Sequence, residues 1–366
     1  MDIRNINKSN LGGKRIGIII GEFIPLHTGH QKLIYKALMK NDSVFLIVFG
    51  AEGNSGDINN LSLQKRFRYL REAYNDELNL KVLMVEETIL MDLPLKIVSL
   101  VKSNIEGDFE SIKFVIYTSE DMNLEQTQQL LPDNFYLDIQ KIKNDRTLEL
   151  SIQKNPIKYW DKINPIFQRN FTKKVLIAGS ASTGKSTLVR RLAHSFNTTF
   201  SEEYARTYQE EANVTDEELT VKDYASIAIG QCEENYKKTC SIANKGITFF
   251  DTDIIVTKTY SDLYLKKTEK EELEHLFDIY ISKENYDLIL IIPPITNYID
   301  DGFRNMTWEK DRYEFHRRLI FNFSKYGFKD KIVLLDHEGV DTNDGFYLRY
   351  EQALTAINKI LGFNLK

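Results

Sequence analysis

Twice in this chain a short apolar run ends in a glycine-bearing turn and passes directly into a segment of helical period. The first is RIGIII at residues 15–20, with its turn beginning at Gly21; the second is KVLIAG at residues 174–179. A strand feeding a helix through a tight turn is how a doubly wound α/β domain begins, so the repetition predicts two such domains. The length of 366 residues agrees, since a domain typically takes about 150 residues.

Further apolar runs continue each pattern. In the first half, strands are expected at SVFLIVFG (43–50), LKVLMVE (80–86), KFVIYTS (113–119) and NFYLDI (134–139), with helices at QKLIYKALMK (31–40) and LQKRFRYLREAY (63–74). In the second half, strands are expected at 174–179, 247–251, 288–292 and 331–335, with long polar helices between them and a closing amphipathic helix over 347–361. Strands that alternate with helices argue for parallel sheets covered on both faces. Two prolines punctuate NPIKYWDKINPIFQRNF (155–171) just before the second first-strand, so the expected domains are 1–165 and 166–366. There is no repeat at a solenoid period.

Charge removes one class of function. The net charge is -5; residues 1–171 hold 22 basic and 22 acidic side chains, and the rest hold 26 and 31. Neither half has the basic excess of a non-specific nucleic-acid binder. Cys232 and Cys240 are the only cysteines, and their spacing fits neither a metal pair nor a redox CxxC, so two thiols in a reducing compartment are expected. The apolar run 16–20 is too short for a secretory core, and no stretch approaches the ~20 apolar residues of a membrane span. The expectation is a soluble, cytoplasmic protein with no nucleic-acid partner and no membrane insertion; a homo-oligomer is left open.

The first turn reads GEFIPLHTGH (21–30), placed between a strand and a helix. A helix N-terminus offers unpaired N–H groups and a positive dipole end, which suit a triphosphate. His27 and His30 can face one anion, and Gly29 lets the backbone approach it. As mere capping or core residues the two histidines would have no such role; the whole pattern GxFxPxHxGH favours the phosphate site.

The second turn, GSASTGKS (179–186), is GxxxxGK[ST] in the required context. The N–H groups of Gly179, Ser180, Ala181, Ser182, Thr183 and Gly184 would cradle phosphates, with Thr187 following in the helix. Lys185 would reach the β/γ oxygens and the Ser186 hydroxyl would bind Mg²⁺. FFDTD (249–253) supplies Asp251 and Asp253 for the metal shell or as general base, with helix capping the alternative for Asp253. Glu203, Tyr204 and Arg206 in SEEYARTY would contact the acceptor or phosphate. DDGFRNMTWEKDR (300–312) joins Gly302 to Arg304 and Arg312, which suits a lid closing on ATP; a plain surface loop is the alternative.

The first motif resembles the signature of the HxGH nucleotidyltransferase superfamily, which implies a Rossmann-like domain in which His27 and His30 bind ATP phosphates and Gly21, Phe23 and Gly29 shape the pocket. That superfamily has a second phosphate motif of the type ISxTxxR. Here the corresponding region is DRTLELSIQKNP (145–156), with Gln153 in place of the arginine; Arg146 and Lys154 are the candidate replacement cations.

The order of an HxGH domain and then a P-loop kinase domain, with YTSE (117–120), NPIKYW (155–160), EEYAR (202–206), DYASIAIGQ (223–231), DTD (251–253) and the DG-x-R at 301–304, resembles the NadR-type family of bifunctional nicotinamide-nucleotide adenylyltransferases and ribosylnicotinamide kinases. The resemblance implies that the kinase domain phosphorylates nicotinamide riboside to the mononucleotide (NMN), and that the first domain joins NMN to ATP as NAD, with Mg²⁺ as cofactor. It also implies that Asp301 lies at the substrate site and that Tyr298 keeps an aromatic where relatives tend to have tryptophan. With fourteen residues before the first strand, the helix-turn-helix of regulatory members is not expected here. Two alternatives stay open: a first domain that senses NAD or ATP for a working kinase, and an adenylyltransferase–kinase for another metabolite.

Overall fold

Both apolar openings become the central strand of a parallel sheet. The protein, seen in a computed structural model, is described over residues 14–51, 61–86, 93–105, 108–118, 131–139, 145–295, 309–336 and 343–364. It divides into two units, Met1–Phe171 and Thr172–Lys366.

The first sheet is made of β1 (Arg15–Gly21), β2 (Ser43–Gly50), β3 (Leu80–Glu86), β4 (Lys113–Thr118) and β5 (Phe135–Ile139), in the order β3-β2-β1-β4-β5 and parallel throughout. Val44, Leu46 and Val48 enter the core on one face, while Phe45, Ile47 and Phe49 enter the core on the other. With both faces covered, the strand has no solvent side, which is why it reads as an unbroken apolar run. The helix Thr28–Lys40 follows β1 and buries Leu33, Ile34 and Ala37.

The second sheet is made of β6 (Lys173–Gly179), β7 (Phe200–Ser201), β8 (Ile247–Asp251), β9 (Leu288–Ile292) and β10 (Ile332–Leu334), in the order β10-β9-β6-β8-β7, again parallel. Leu176 and Ala178 face one core; Val175 and Ile177 face the other. The closing helix is Asn343–Leu361.

The first unit runs past residue 165 for a packing reason. Phe167, on the short helix Pro165–Gln168, is fully buried with its ring 5.3 Å from Tyr69, and Arg169 pairs with Glu72 and lies 4.0 Å from the Tyr69 ring centroid. Among the described residues no helix is long and apolar enough to cross a membrane. Cys232 and Cys240 are free, half-buried thiols.

Candidate active sites

In each sheet the order reverses beside the first strand, β1 or β6, so the turn leaving that strand opens into the crevice where open α/β sheets bind ligands. The two sequence motifs occupy those two turns.

In the first unit, His27 is the N-cap of the helix Thr28–Lys40, and its Nδ1 accepts from the Gly29 N–H at 3.1 Å. The rings of His27 and His30 stack with centroids 3.9 Å apart, and Phe23 stands edge-on to His30 at 4.9 Å. Phe23 reaches this place with φ at 54°, its ring lying over Gly21, where a Cβ would come within 3.1 Å of its Cζ. Both histidines are buried. Burial holds the His27 imidazole down to about 4. Burial, and then the charge of His27, hold His30 well below the ordinary range, against a backbone hydrogen bond at Pro25. The pair is therefore neutral at pH 7, and it can ligate or hydrogen-bond without adding net charge.

The expected interdomain punctuation instead builds a wall of this site. Ile163 bridges His27, and the Asn164 N–H donates to Leu26 O at 2.9 Å. The helix Asp145–Lys154 also folds onto the turn: Gln153 Nε2 donates to Ile24 O at 2.8 Å, and Glu149 Oε1 accepts from the Ile24 N–H at 3.1 Å. Gln153 thus serves the backbone of the turn, and Lys154 is exposed. Arg146 is on this helix, with its side chain outside the described residues. Reading the sequence missed Arg66, a buried guanidinium that donates to Phe49 O at 3.0 Å, to Leu61 O at 3.1 Å and to Glu22 O. Gly50 gives the signal: its φ is 155°, and a Cβ there would lie 2.6 Å from Arg66 Nη2.

In the second unit, Gly184 caps the helix Lys185–Ser195 with φ at 84°, and a Cβ would collide with Phe346 at 2.4 Å. At Gly179 a Cβ would lie 2.6 Å from Ile292 O. Ser180, Ala181 and Thr183 are buried, Ser182 and Ser186 half-buried, and Thr187 exposed. Thr183 Oγ1 donates to Ser180 O at 3.0 Å, as does the buried Lys185 Nζ at 2.9 Å, so the ammonium lies over the loop. Pairing of β6 with β8 sets Asp251 opposite Ile177, two residues before Gly179.

The acidic candidates separate by geometry. Asp253 caps the helix Ile254–Tyr264, accepting from the Val256 N–H at 2.9 Å, and burial, then Glu284, push its carboxyl up to about 7. Asp251 is buried at the end of β8. Glu203 is buried and lines a pocket with Asp216, Tyr224, Thr252, Thr257 and Tyr260. Tyr204 is half-buried, Arg206 exposed, and Arg312 buried on the helix Glu309–Lys325. Tyr298, Asp301 and Arg304 lie outside the described residues.

Two amides on the helix Val221–Thr239 hold the acidic loops. Gln231 Oε1 accepts from the Tyr204 N–H at 2.7 Å while its Nε2 donates to Glu202 O at 3.1 Å. Asn235, one turn on, accepts from Ser201 Oγ at 2.6 Å and donates to Thr252 O at 3.3 Å. Gly230 makes room: a Cβ there would lie 2.1 Å from the Tyr204 ring. A Gln and an Asn four apart on an otherwise packed helix face were the available signal.

Residues 174–338 match the family described as an AAA domain. The chain is 30% identical to "Trifunctional NAD biosynthesis/regulator protein NadR" of Salmonella typhimurium over 84% of this chain and 76% of that protein, and equally to its Escherichia coli namesake. This chain belongs to the NadR family. Two solved NadR proteins superpose on nearly all of it: one in complex with NR (TM-score 0.89, 44% identity, 98% of this chain and 99% of that one), the other in complex with NAD and AMP-PNP (TM-score 0.87, 41% identity, the same coverage). Membership makes the NadR-family chain an NAD-biosynthesis protein with a nucleotidyltransferase unit followed by a kinase unit.

Proposed function

We propose that the second unit transfers the γ-phosphoryl group of ATP to the 5′-hydroxyl of nicotinamide riboside, and that the first unit joins the resulting mononucleotide to a second ATP. The observation that carries the kinase half is the pocket lined by the carboxylates of Glu203 and Asp216 and the rings of Tyr224 and Tyr260, which is our space for the acceptor. Buried carboxylates and aromatic faces complement a cationic pyridinium ring and a sugar hydroxyl. The hydroxyl oxygen attacks the γ-phosphorus, the bond to the β–γ bridging oxygen breaks, and ADP leaves. Glu203 takes the hydroxyl proton, because Asp253 is engaged at a helix cap. Lys185 and the loop amides offset the charge on the transferred group.

The Ser186 hydroxyl and the Asp251 carboxylate fit Mg²⁺: both are hard oxygen donors on neighbouring segments at one end of the sheet. When bound, Mg²⁺ supplies Lewis-acid neutralisation of phosphate charge. A cleft lined by Gly184, Thr187, Arg191, Phe346 and Arg349 adjoins the loop, and it is our site for the ATP base. Arg312, buried on the helix Glu309–Lys325, is our candidate for a further cation at the transferred phosphate; Arg304, the other candidate, lies outside the described residues.

In the first unit a phosphate oxygen of the mononucleotide attacks the α-phosphorus of ATP, and pyrophosphate leaves. No proton need be removed. His27 and His30 hydrogen-bond the phosphates at the helix N-terminus. Glu149 close to the histidines, and Gln153 held to the Ile24 carbonyl, favour a second reading, in which this unit binds nucleotide and regulates the kinase. Supplying NMN and MgATP separates the two: NAD is expected, and its absence with riboside phosphorylation intact would overturn adenylation and leave the sensor.

A further inference from the structure

The turn that carries His27 and His30 contains a strained residue. Phe23 takes φ at 54°, a conformation that few residues with side chains adopt. Such a residue persists only where its surroundings hold the neighbouring peptide groups. On the far side of Phe23 the helix Asp145–Lys154 does so, since Glu149 accepts from the Ile24 N–H and Gln153 donates to the Ile24 carbonyl. The peptide on the near side, between Glu22 and Phe23, is held from a different helix.

That helix is Leu63–Ala73, whose buried positions 63, 66 and 70 have the spacing of a core-facing stripe. Such a stripe calls for an apolar side chain at 66; a guanidinium stands there, 4% exposed. Arg66 Nη1 donates to the carbonyls of Glu22 and Phe49, the latter at 3.0 Å, and Nε donates to the Leu61 carbonyl at 3.1 Å. The fork therefore ties the chain leaving β1 to the end of β2 and to the segment that enters its own helix. Gly50 leaves space for it, because a Cβ there would lie 2.6 Å from Nη2. A rigid, charged fork suits carbonyls in several fixed directions; a lysine presents its donors from one atom and cannot match that spread.

The Glu22 carbonyl belongs to the peptide plane from which the φ of Phe23 is measured, so holding that oxygen fixes where the Phe23 ring goes. The ring stands edge-on to His30 at 4.9 Å, and His30 stacks on His27 at 3.9 Å. We propose that Arg66 is a positioning residue of the first unit: by holding the Glu22 carbonyl it sets Phe23, and through Phe23 it sets the ring of His30. The proposal rests on the reading of this turn as the adenylation site. Arg66 acts through its neighbours rather than on the substrate, and a misplacement of about 1 Å at a reacting centre can cost up to ~10²-fold in rate.

The test compares the parent with Arg66→Lys, as full chains labelled with ¹³C at histidine Cε1 and observed by NMR without nucleotide. The His30 signal is identified by its loss in His30→Ala. In Arg66→Lys it should leave its parent position, while the signals of His194 and His275 in the second unit keep theirs. For NAD formation from NMN, kcat should fall about 10-fold, with the KM for NMN and the rate of riboside phosphorylation unchanged. A merely structural Arg66 would lower the melting temperature and move neither the His30 signal nor kcat below the melt. An unmoved His30 signal, a parent kcat, or a loss confined to KM would each overturn the assignment. Should Arg66→Lys fail to fold, Gly50→Ala, which keeps the guanidinium but crowds Nη2, carries the same readings. Because the spectrum needs no nucleotide, the two readings fail separately: a parent that makes no NAD overturns adenylation, and the His30 signal alone then decides the role of Arg66.

Discussion

The two turns proposed to bind phosphate are built from different materials. In the second unit, the proposed phosphate site is a backbone loop with the ammonium of Lys185 folded over it. In the first unit, two stacked neutral imidazoles sit at a helix N-terminus with a carboxylate close by. The lesson is that a P-loop carries its charge in its own sequence, whereas the histidine turn depends on a helix distant in sequence for its electrostatic character. Glu149 and Gln153 reach Ile24 across 125 and 129 residues.

The largest test of that contrast is Lys185→Ala. Losing a charge aimed at the transferred group should cost on the order of 10³-fold in riboside phosphorylation, while NAD formation from supplied NMN continues at the parent rate. Equal loss of both activities would break the division of labour. His30→Ala is the mirror experiment: about 10²-fold or more off NAD formation from NMN is expected, with mononucleotide formation unchanged. If only NAD feedback on the kinase altered, the sensor reading would win.

A smaller effect should come from Gln231→Ala, which strands the Tyr204 N–H and the Glu202 carbonyl in a partly buried network. A loss of about 1–3 kcal/mol in unfolding free energy is expected, together with a higher KM for riboside and an unchanged KM for ATP. An unaltered riboside KM would show that Gln231 is structural only.

The pH dependence sharpens the comparison further, because the two units should respond in opposite directions. The unfolded chain protonates its histidines near 6.5 while folded His27 resists to about 4, so the first unit weakens as pH falls below 6.5. By pH 5 the loss from His27 alone is about 2 kcal/mol. Asp253 has its folded value raised to about 7. It is penalised when ionised, so the second unit gains about 2 kcal/mol as pH falls from 7 to 5. Regional hydrogen exchange at the two pH values reads both signs, and Asp253→Asn should abolish the gain. Weakening of both units in parallel would refute the assignment.

Much of the fold was legible because its signals are local. Apolar runs became strands at nearly the expected residues, and each turn motif lies between its strand and helix. What escaped reading acts across the sheet or between helices. Arg66 ties three carbonyls from separate segments, Gln231 and Asn235 hold loops that precede and follow their helix, and Glu149 looks in sequence like an ordinary charge on a helix. Polar side chains at such positions carry no periodic signature, so only their partners reveal them.

By itself, then, the sequence determined two parallel α/β units and a motif-bearing turn after each first strand, because strand–turn–helix units and glycine-dependent loops are specified by neighbouring residues. Only the tertiary structure decided which acidic group caps a helix and which lines a pocket, and that a carboxylate lies close to the histidine pair. Those outcomes depend on which helix packs against which turn, and burial then fixes their charge.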